Sequence, residues 1–313
     1  MKRFICILLS IVFIFALGGC GTSSKDNQPT ASNSQPSTNS GPTSNDELKL
    51  DAVCNWEGDG VLKILAIGNS FSINTLEHVA EITKSLGVEE IYLGNLYIGG
   101  CPVKIHAENA RNDAAAYRYY SNSGSGWSFV EDKKMSDALK EQSWDVIIMQ
   151  QASYFSGKDD SYSDLDFLIQ YVRGIVGESP KLVWNMTWAY QDGYSGLNDY
   201  GKKQSVMYTK ILRALDKNIT PNENFAAILP VGTAIQNART SFLGDTLTTD
   251  GMHLNKLGEY IAGLTLAYKI TGLPINNVNF APQGINQRQK DTAIEAAINA
   301  VKSPFDITDA TDK

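Results

Sequence analysis

Histidine is scarce in this chain: 313 residues carry only His78, His106 and His253. Imidazole acid–base chemistry is therefore confined to three positions. Cysteine is nearly as scarce. Cys6 lies inside an N-terminal apolar run and Cys20 directly follows it, which leaves Cys54 and Cys101 for the rest of the chain. Two cysteines at that spacing match no zinc motif; separately, no metal and no cofactor are expected. Outside the cytoplasm they would form a disulfide only if the fold brought their Cα atoms within bridging distance. Runs of lysine or arginine are absent from the folded region, and the formal net charge is −7. The clustered basic surface that a phosphate backbone demands is missing, so nucleic acid is not an expected partner. Residues 21–47 contain no aromatic residue and no Leu, Ile or Val. Such a stretch cannot bury enough apolar surface to offset the entropy of ordering, and 21–49 reads as a flexible tether.

No apolar run is long enough to cross a bilayer comfortably; the first covers residues 4–17. It follows Lys2 and Arg3 and ends in Gly18 and Gly19. A basic start, an apolar stretch and small residues form an export signal over residues 1–20. Leu17-Gly18-Gly19-Cys20 resembles the lipobox of bacterial lipoproteins. The resemblance implies lipidation of Cys20 and a mature protein held on the outer face of the membrane, where more than one acyl chain gives stable anchoring.

Beyond residue 50 the composition changes to that of a globular domain. Apolar runs at 61–67, 91–98, 145–149, 181–186 and 226–231 alternate with helical patterns at 76–86, 135–142, 165–176 and 204–215. Two more helical patterns follow, at 257–270 and 287–301. Near-continuous apolar strands separated by helices predict a parallel sheet covered on both faces. The expectation is one three-layer α/β/α domain over residues 50–305, with about five strands and a short tail at 306–313. Ligands in such sheets bind beyond the carboxyl ends of the strands, so the residues following each strand carry the functional information.

Ser70 follows the first strand in Gly68-Asn69-Ser70-Phe71-Ser72, where a helix start offers free N–H groups. A serine there also serves as an ordinary helix cap. Near the end of the chain Asp250-Gly251-Met252-His253 places a carboxylate three residues before an imidazole. One short loop can thus supply both a base and its orienting group. His78 lies in the first helical stretch and His106 in a loop without a carboxylate at useful spacing, which leaves His253 as the best base. Gly99-Gly100 after the second strand leaves backbone N–H groups accessible, or simply makes a tight turn. Gln150 and Gln151 after the third offer amide donors to an oxyanion, unless they bond the backbone. Trp188, after the fourth, is either a ring for stacking on sugars or a core residue.

Together these segments resemble the SGNH (GDSL-like) hydrolases over residues 60–275. Gly68-Asn69-Ser70 is similar to their Gly-Asp-Ser motif, Asn95 to Gly100 to their glycine block, and Asp250 to His253 to their final Asp-x-x-His. Ile98-Gly99-Gly100-Cys101, Gln150-Gln151-Ala152-Ser153 and Pro230-Val231-Gly232-Thr233-Ala234 resemble a branch of bacterial SGNH-like lipoproteins of undetermined activity. Two departures stand out: Asn69 replaces the usual aspartate, and glutamine stands where the third-block asparagine is expected. A similar glutamine occurs in sialate O-acetylesterases. The resemblance implies Ser70 as nucleophile, His253 as base and Asp250 as its orienting carboxylate. It also implies an oxyanion hole from Ser70, Gly100 and Gln151, with Gln150 as the alternative donor. His106, Trp188 and Arg239 are the expected substrate contacts.

The function so implied is a surface esterase that removes acetyl or other short acyl groups from a glycan or a small ester. Three other readings remain open on the sequence: a glycan-binding lipoprotein with a vestigial site, a lipid esterase, and an acyltransferase. A transporter's solute-binding protein is disfavoured, because one sheet leaves no second lobe to close.

Overall fold

The computed structural model describes residues 52–54 and 60–313. The export signal, the lipobox cysteine and the tether expected from the sequence lie outside the described residues. Among the described residues no helix is long and apolar enough to cross a membrane.

The chain runs β1 (Val61–Gly68), α1 (Ser70–Leu76), α2 (Val79–Ser85), β2 (Glu90–Tyr97), α3 (Val103–Arg111), β3 (Ala115–Asn122), β4 (Trp127–Lys134) and α4 (Met135–Glu141). It continues through β5 (Val146–Met149), α5 (Leu165–Val176), β6 (Lys181–Asn185), α6 (Gln204–Asn218), β7 (Phe225–Leu229), α7 (Val231–Arg239), α8 (Lys256–Thr271) and α9 (Gln287–Lys302). The seven strands lie in the order β4-β3-β2-β1-β5-β6-β7. β2, β1, β5, β6 and β7 are mutually parallel, and β3 and β4 add an antiparallel hairpin at one edge. The parallel strands thus follow the flavodoxin-like order, with the reversal between β1 and β5. Helices cover both faces, which makes the expected three-layer α/β/α fold. One helical layer holds α1, α2, α7, α8 and α9, and another holds α3, α4 and α5.

The five strands expected from sequence are the five parallel ones. β1, β5 and β6 are buried on both faces and so are apolar at successive positions, as with Ile64, Leu65, Ala66 and Ile67 of β1, whereas the edge strand β7 is only partly buried. Burying each large aliphatic side chain contributes about 1.5–3 kcal/mol. The hairpin is an addition to the expected sheet. β4 is largely exposed, and its sequence WSFVEDKK has no apolar run to announce it. The first helical pattern, 76–86, divides into α1 and α2 at Glu77 and His78, and α1 begins six residues earlier, at Ser70. Gly232, directly after the last apolar run, lies inside α7. A Cβ there would come 2.5 Å from the Thr187 carbonyl oxygen, so the glycine permits close packing rather than a stop.

Candidate active site

The end of β1 and the start of α1 are joined by the single residue Asn69. Its backbone is extended and its side chain caps the helix, Oδ1 accepting from the Phe71 N–H at 3.0 Å. Ser70 is therefore the first helical residue, and its N–H has no carbonyl one turn back to bond. The other side of the Asn69 amide donates to the Cys101 carbonyl at 3.1 Å. One buried side chain thus ties the serine turn to the loop after β2. Gln150 Nε2 donates to Asn69 Oδ1 at 2.9 Å, and Asn185 Nδ2 donates to Gln150 Oε1 at 3.0 Å. This chain of buried amides spans the ends of β1, β5 and β6. Each link satisfies a group that would cost about 1–3 kcal/mol if left unpaired.

Across the edge of the sheet, His253 Nε2 lies 2.9 Å from Ser70 Oγ, and Nδ1 lies 2.6 Å from Asp250 Oδ2. The other Asp250 oxygen accepts from the His253 N–H at 2.8 Å and the Met252 N–H at 3.0 Å. The carboxylate thus folds its own loop and orients the imidazole. Burial would raise the Asp250 carboxyl, but hydrogen bonds from the His253 ring and then from the two N–H groups outweigh it and pull it down to about 2. An ionised carboxylate holds the proton on Nδ1, which leaves Nε2 free to accept from the Ser70 hydroxyl.

The loop is fixed from three sides. Trp188 Nε1 donates to the Met252 carbonyl at 2.8 Å, and its ring stacks on Phe71 at 4.0 Å. Phe71 in turn meets the His253 ring edge-on at 6.0 Å. Tyr194 packs over Gly251, whose φ of +93° and lack of a side chain admit the ring; a Cβ would sit 2.7 Å from it. Asn74 of α1 accepts from the Leu254 N–H at 3.2 Å and donates to Glu259 of α8 at 2.7 Å. Sequence reading missed Asn74 and Tyr194, because their partners lie about 180 and 60 residues away. The site is open: the side chains of His253 and Asp250 are 32% and 50% exposed.

Gly100 occupies the turn after β2 with φ +62°. The turn's own bond runs from the Cys101 N–H to the Ile98 carbonyl at 3.2 Å and does not use the Gly100 N–H. Through its bond to the Cys101 carbonyl, Asn69 ties the Ser70 turn to the turn that carries Gly100.

Several expected roles need correcting. The Gln151 amide is committed at both ends. Oε1 accepts from the Val103 and Ala152 N–H groups at 3.0 and 2.8 Å, and Nε2 donates to the Ser161 carbonyl at 2.8 Å. It braces α3 and the loop after β5, with nothing left for an oxyanion. Gln150, the alternative, gives one N–H to Asn69 and accepts from Asn185, so its amide is part of the chain that holds the serine turn. Trp188 is fully buried and belongs to the support of the His253 loop, not to a rim. Arg239 is buried too; it donates to the Ala189 carbonyl at 3.1 Å and pairs with Asp245 at 2.8 Å, bracing the loop after β6. Cys54 and Cys101 are free thiols, pushed up by burial to about 11 and about 12, and form no disulfide.

His106 is buried within α3, stacked on Tyr117 and 3.0 Å from its hydroxyl, so it touches no substrate. Burial pushes its imidazole down to about 3. It stays neutral when folded but binds a proton near pH 6.5 when unfolded. Stability is therefore full above about pH 6.5 and falls as pH drops toward about 3, by about 2 kcal/mol at pH 5 from this group. The melting temperature is expected to drop between pH 7.5 and 5, and less so in His106→Phe. An equal drop in both proteins would show that the acid sensitivity arises elsewhere.

Residues 63–300 match a family described as a domain of unknown function, DUF4886. A DUF4886 family protein from Bacteroides uniformis is 36% identical, over 80% of this chain and 99% of that one, with a TM-score of 0.77. The chain belongs to the DUF4886 family. More distant likenesses are a candidate SGNH hydrolase from Slackia heliotrinireducens and an acetylxylan esterase from Geobacillus stearothermophilus. The first is 18% identical over 67% of this chain and 99% of that one, with a TM-score of 0.43. The second, a catalytic mutant, is 12% identical over 72% and 97%, with a TM-score of 0.37. None of the curated proteins matches the chain.

Proposed function

We propose that the chain is a serine esterase of SGNH type that removes acetyl or other short acyl groups from a carbohydrate. In this reading it works at the outer face of the membrane, tethered through Cys20. The observation that carries the reading is the relay from Ser70 through His253 to Asp250, with contacts of 2.9 and 2.6 Å.

The geometry supports the following steps. Ser70 Oγ attacks the ester carbonyl while His253 Nε2 takes its proton. Asp250 stays ionised and stabilises the imidazolium. The oxyanion is met by the N–H groups of Ser70 and Gly100, each such donor being worth about 3–4 kcal/mol of barrier. His253 returns the proton to the departing sugar hydroxyl, leaving Ser70 acylated. Water then attacks the acyl group, gives a proton to His253, and the acid leaves as Ser70 recovers its own. The open setting of His253 and Asp250 suits an acyl group carried on a large polymer, and anchoring suits a polymer too large to import.

Acetate release from acetylated glycan oligosaccharides is expected to outpace fatty-acid release from a lipid ester, and Ser70→Ala should release neither. Faster turnover of the lipid ester would overturn the substrate class. Undiminished release by Ser70→Ala would overturn the nucleophile.

A further inference from the structure

Next to the strand that ends at the serine turn, β2 and the β3–β4 hairpin carry a row of partly exposed aromatic rings. Tyr97 ends β2 and is the register partner of Gly68, two residues before Ser70. Its ring meets Tyr120 of β3 at 5.7 Å, and Tyr120 meets Phe129 of β4 at 5.6 Å. Asn95, the cross-strand partner of Tyr120, lies 2.9 Å from Ser72 of α1. Alternation along β2 and pairing across the strands therefore put Tyr97, Tyr120 and Phe129 on the sheet face that carries α1. From the opposite face Tyr119 and Lys133 bond Glu141 of α4. On the α1 side Phe129 is 55% exposed.

The polar groups among these rings are paired. Arg118 lies 4.8 Å over the Phe129 ring, bonds Glu131 at 2.6 Å and donates to the Tyr120 hydroxyl at 3.3 Å. The row thus combines ring surface with hydroxyl, guanidinium and carboxylate edges and carries no unbalanced charge. That suits an uncharged polyhydroxylated ligand. An anionic polymer would need unpaired cations. Three strand spacings of about 4.8 Å separate β1 from β4, a reach of about 14 Å. Such a span is more than a small ester needs and fits several linked sugars.

We propose that Tyr97, Tyr120 and Phe129 form a subsite on which the sugar chain of the substrate stacks, leading its acylated unit to Ser70. This deepens the esterase reading above and rests on it. Arg118 and Glu131 bond the hydroxyl groups of the chain at the outer strand.

The test compares Tyr120→Ala/Phe129→Ala with the unaltered protein on a small chromogenic acetyl ester and on acetylated xylo-, manno- and chito-oligosaccharides. Activity on the small ester is expected to stay within about twofold. The kcat/KM for the preferred oligosaccharide is expected to fall about tenfold or more through KM, as the loss of about 1.4 kcal/mol of ring contact per decade requires. Equal losses on both substrates, or none, would overturn the subsite. Calorimetry with the deacetylated oligosaccharides on Ser70→Ala protein separates the two claims. Binding that the double substitution weakens tenfold supports the subsite even if Ser70 proves not to be the nucleophile. No binding of any of the three sugars overturns it. So does light scattering that shows a dimer which Phe129→Ala dissociates, since the row would then be a contact between copies.

Discussion

Asp250→Asn is expected to lower kcat for ester hydrolysis by about 10⁴-fold while leaving the protein folded. The carboxylate has two tasks, and the substitution separates them. Oδ1 accepts from the N–H groups of Met252 and His253, which an amide oxygen can also do. Oδ2 accepts from His253 Nδ1 at 2.6 Å, and an amide nitrogen placed there donates instead. The imidazole then carries its proton on Nε2 and faces Ser70 with the wrong atom. The loop should keep its shape while the base is lost. Steady-state kinetics together with a thermal melt checks this. A loss of less than tenfold in kcat with an unchanged melt would show that Asp250 only folds the loop.

Asn69→Asp, which restores the residue usual in the resembled family, is expected to damage this protein. The Asn69 Nδ2 group donates to the Cys101 carbonyl at 3.1 Å, in a position that is 2% exposed. A carboxylate there sets oxygen against oxygen, away from water, and burial raises the carboxyl of the new residue. The Gly100 turn loses its tie to the serine turn, so the two backbone donors no longer share one frame. Misplacement on the scale of an ångström costs about 10²-fold in rate, and that is the expected fall in kcat at neutral pH, with little change in KM. Activity relative to the unaltered protein should recover as pH falls and the new carboxyl takes up a proton, because the acid can donate to the Cys101 carbonyl. Unchanged kcat at neutral pH would show that the tie does not position the donors.

How much of this was legible in the sequence varied with where each residue's partners lie. β1, β5 and β6 announced themselves, because a parallel strand buried on both faces must be apolar at every position. The hairpin did not, because Phe129 and Glu131 face solvent and follow no burial pattern. The Ser70 turn and the Asp250–His253 loop were readable from local spacing, and the fold brings these two segments within hydrogen-bond reach. Gln151 was misread for a physical reason. A glutamine after a buried strand must satisfy its amide, and the sequence does not show that the Val103 N–H and the Ser161 carbonyl are waiting for it. Trp188, Arg239 and His106 differ from expectation in the same way: the fold uses these side chains as internal struts rather than as substrate contacts. Asn69 stood in the sequence only as a departure from a motif. Its significance lies in its three bonding partners, Phe71 two residues on and Cys101 and Gln150 from two other strand ends.

The central claim is that the Ser70 hydroxyl is activated by His253. A serine-directed phosphonate tests it most directly, read by mass spectrometry of the intact protein and of its peptides. One adduct per chain is expected, located on Ser70, formed rapidly in the unaltered protein and at least about 10³-fold more slowly in His253→Ala. An adduct on another residue, or labelling of Ser70 that proceeds equally fast without His253, would contradict the account.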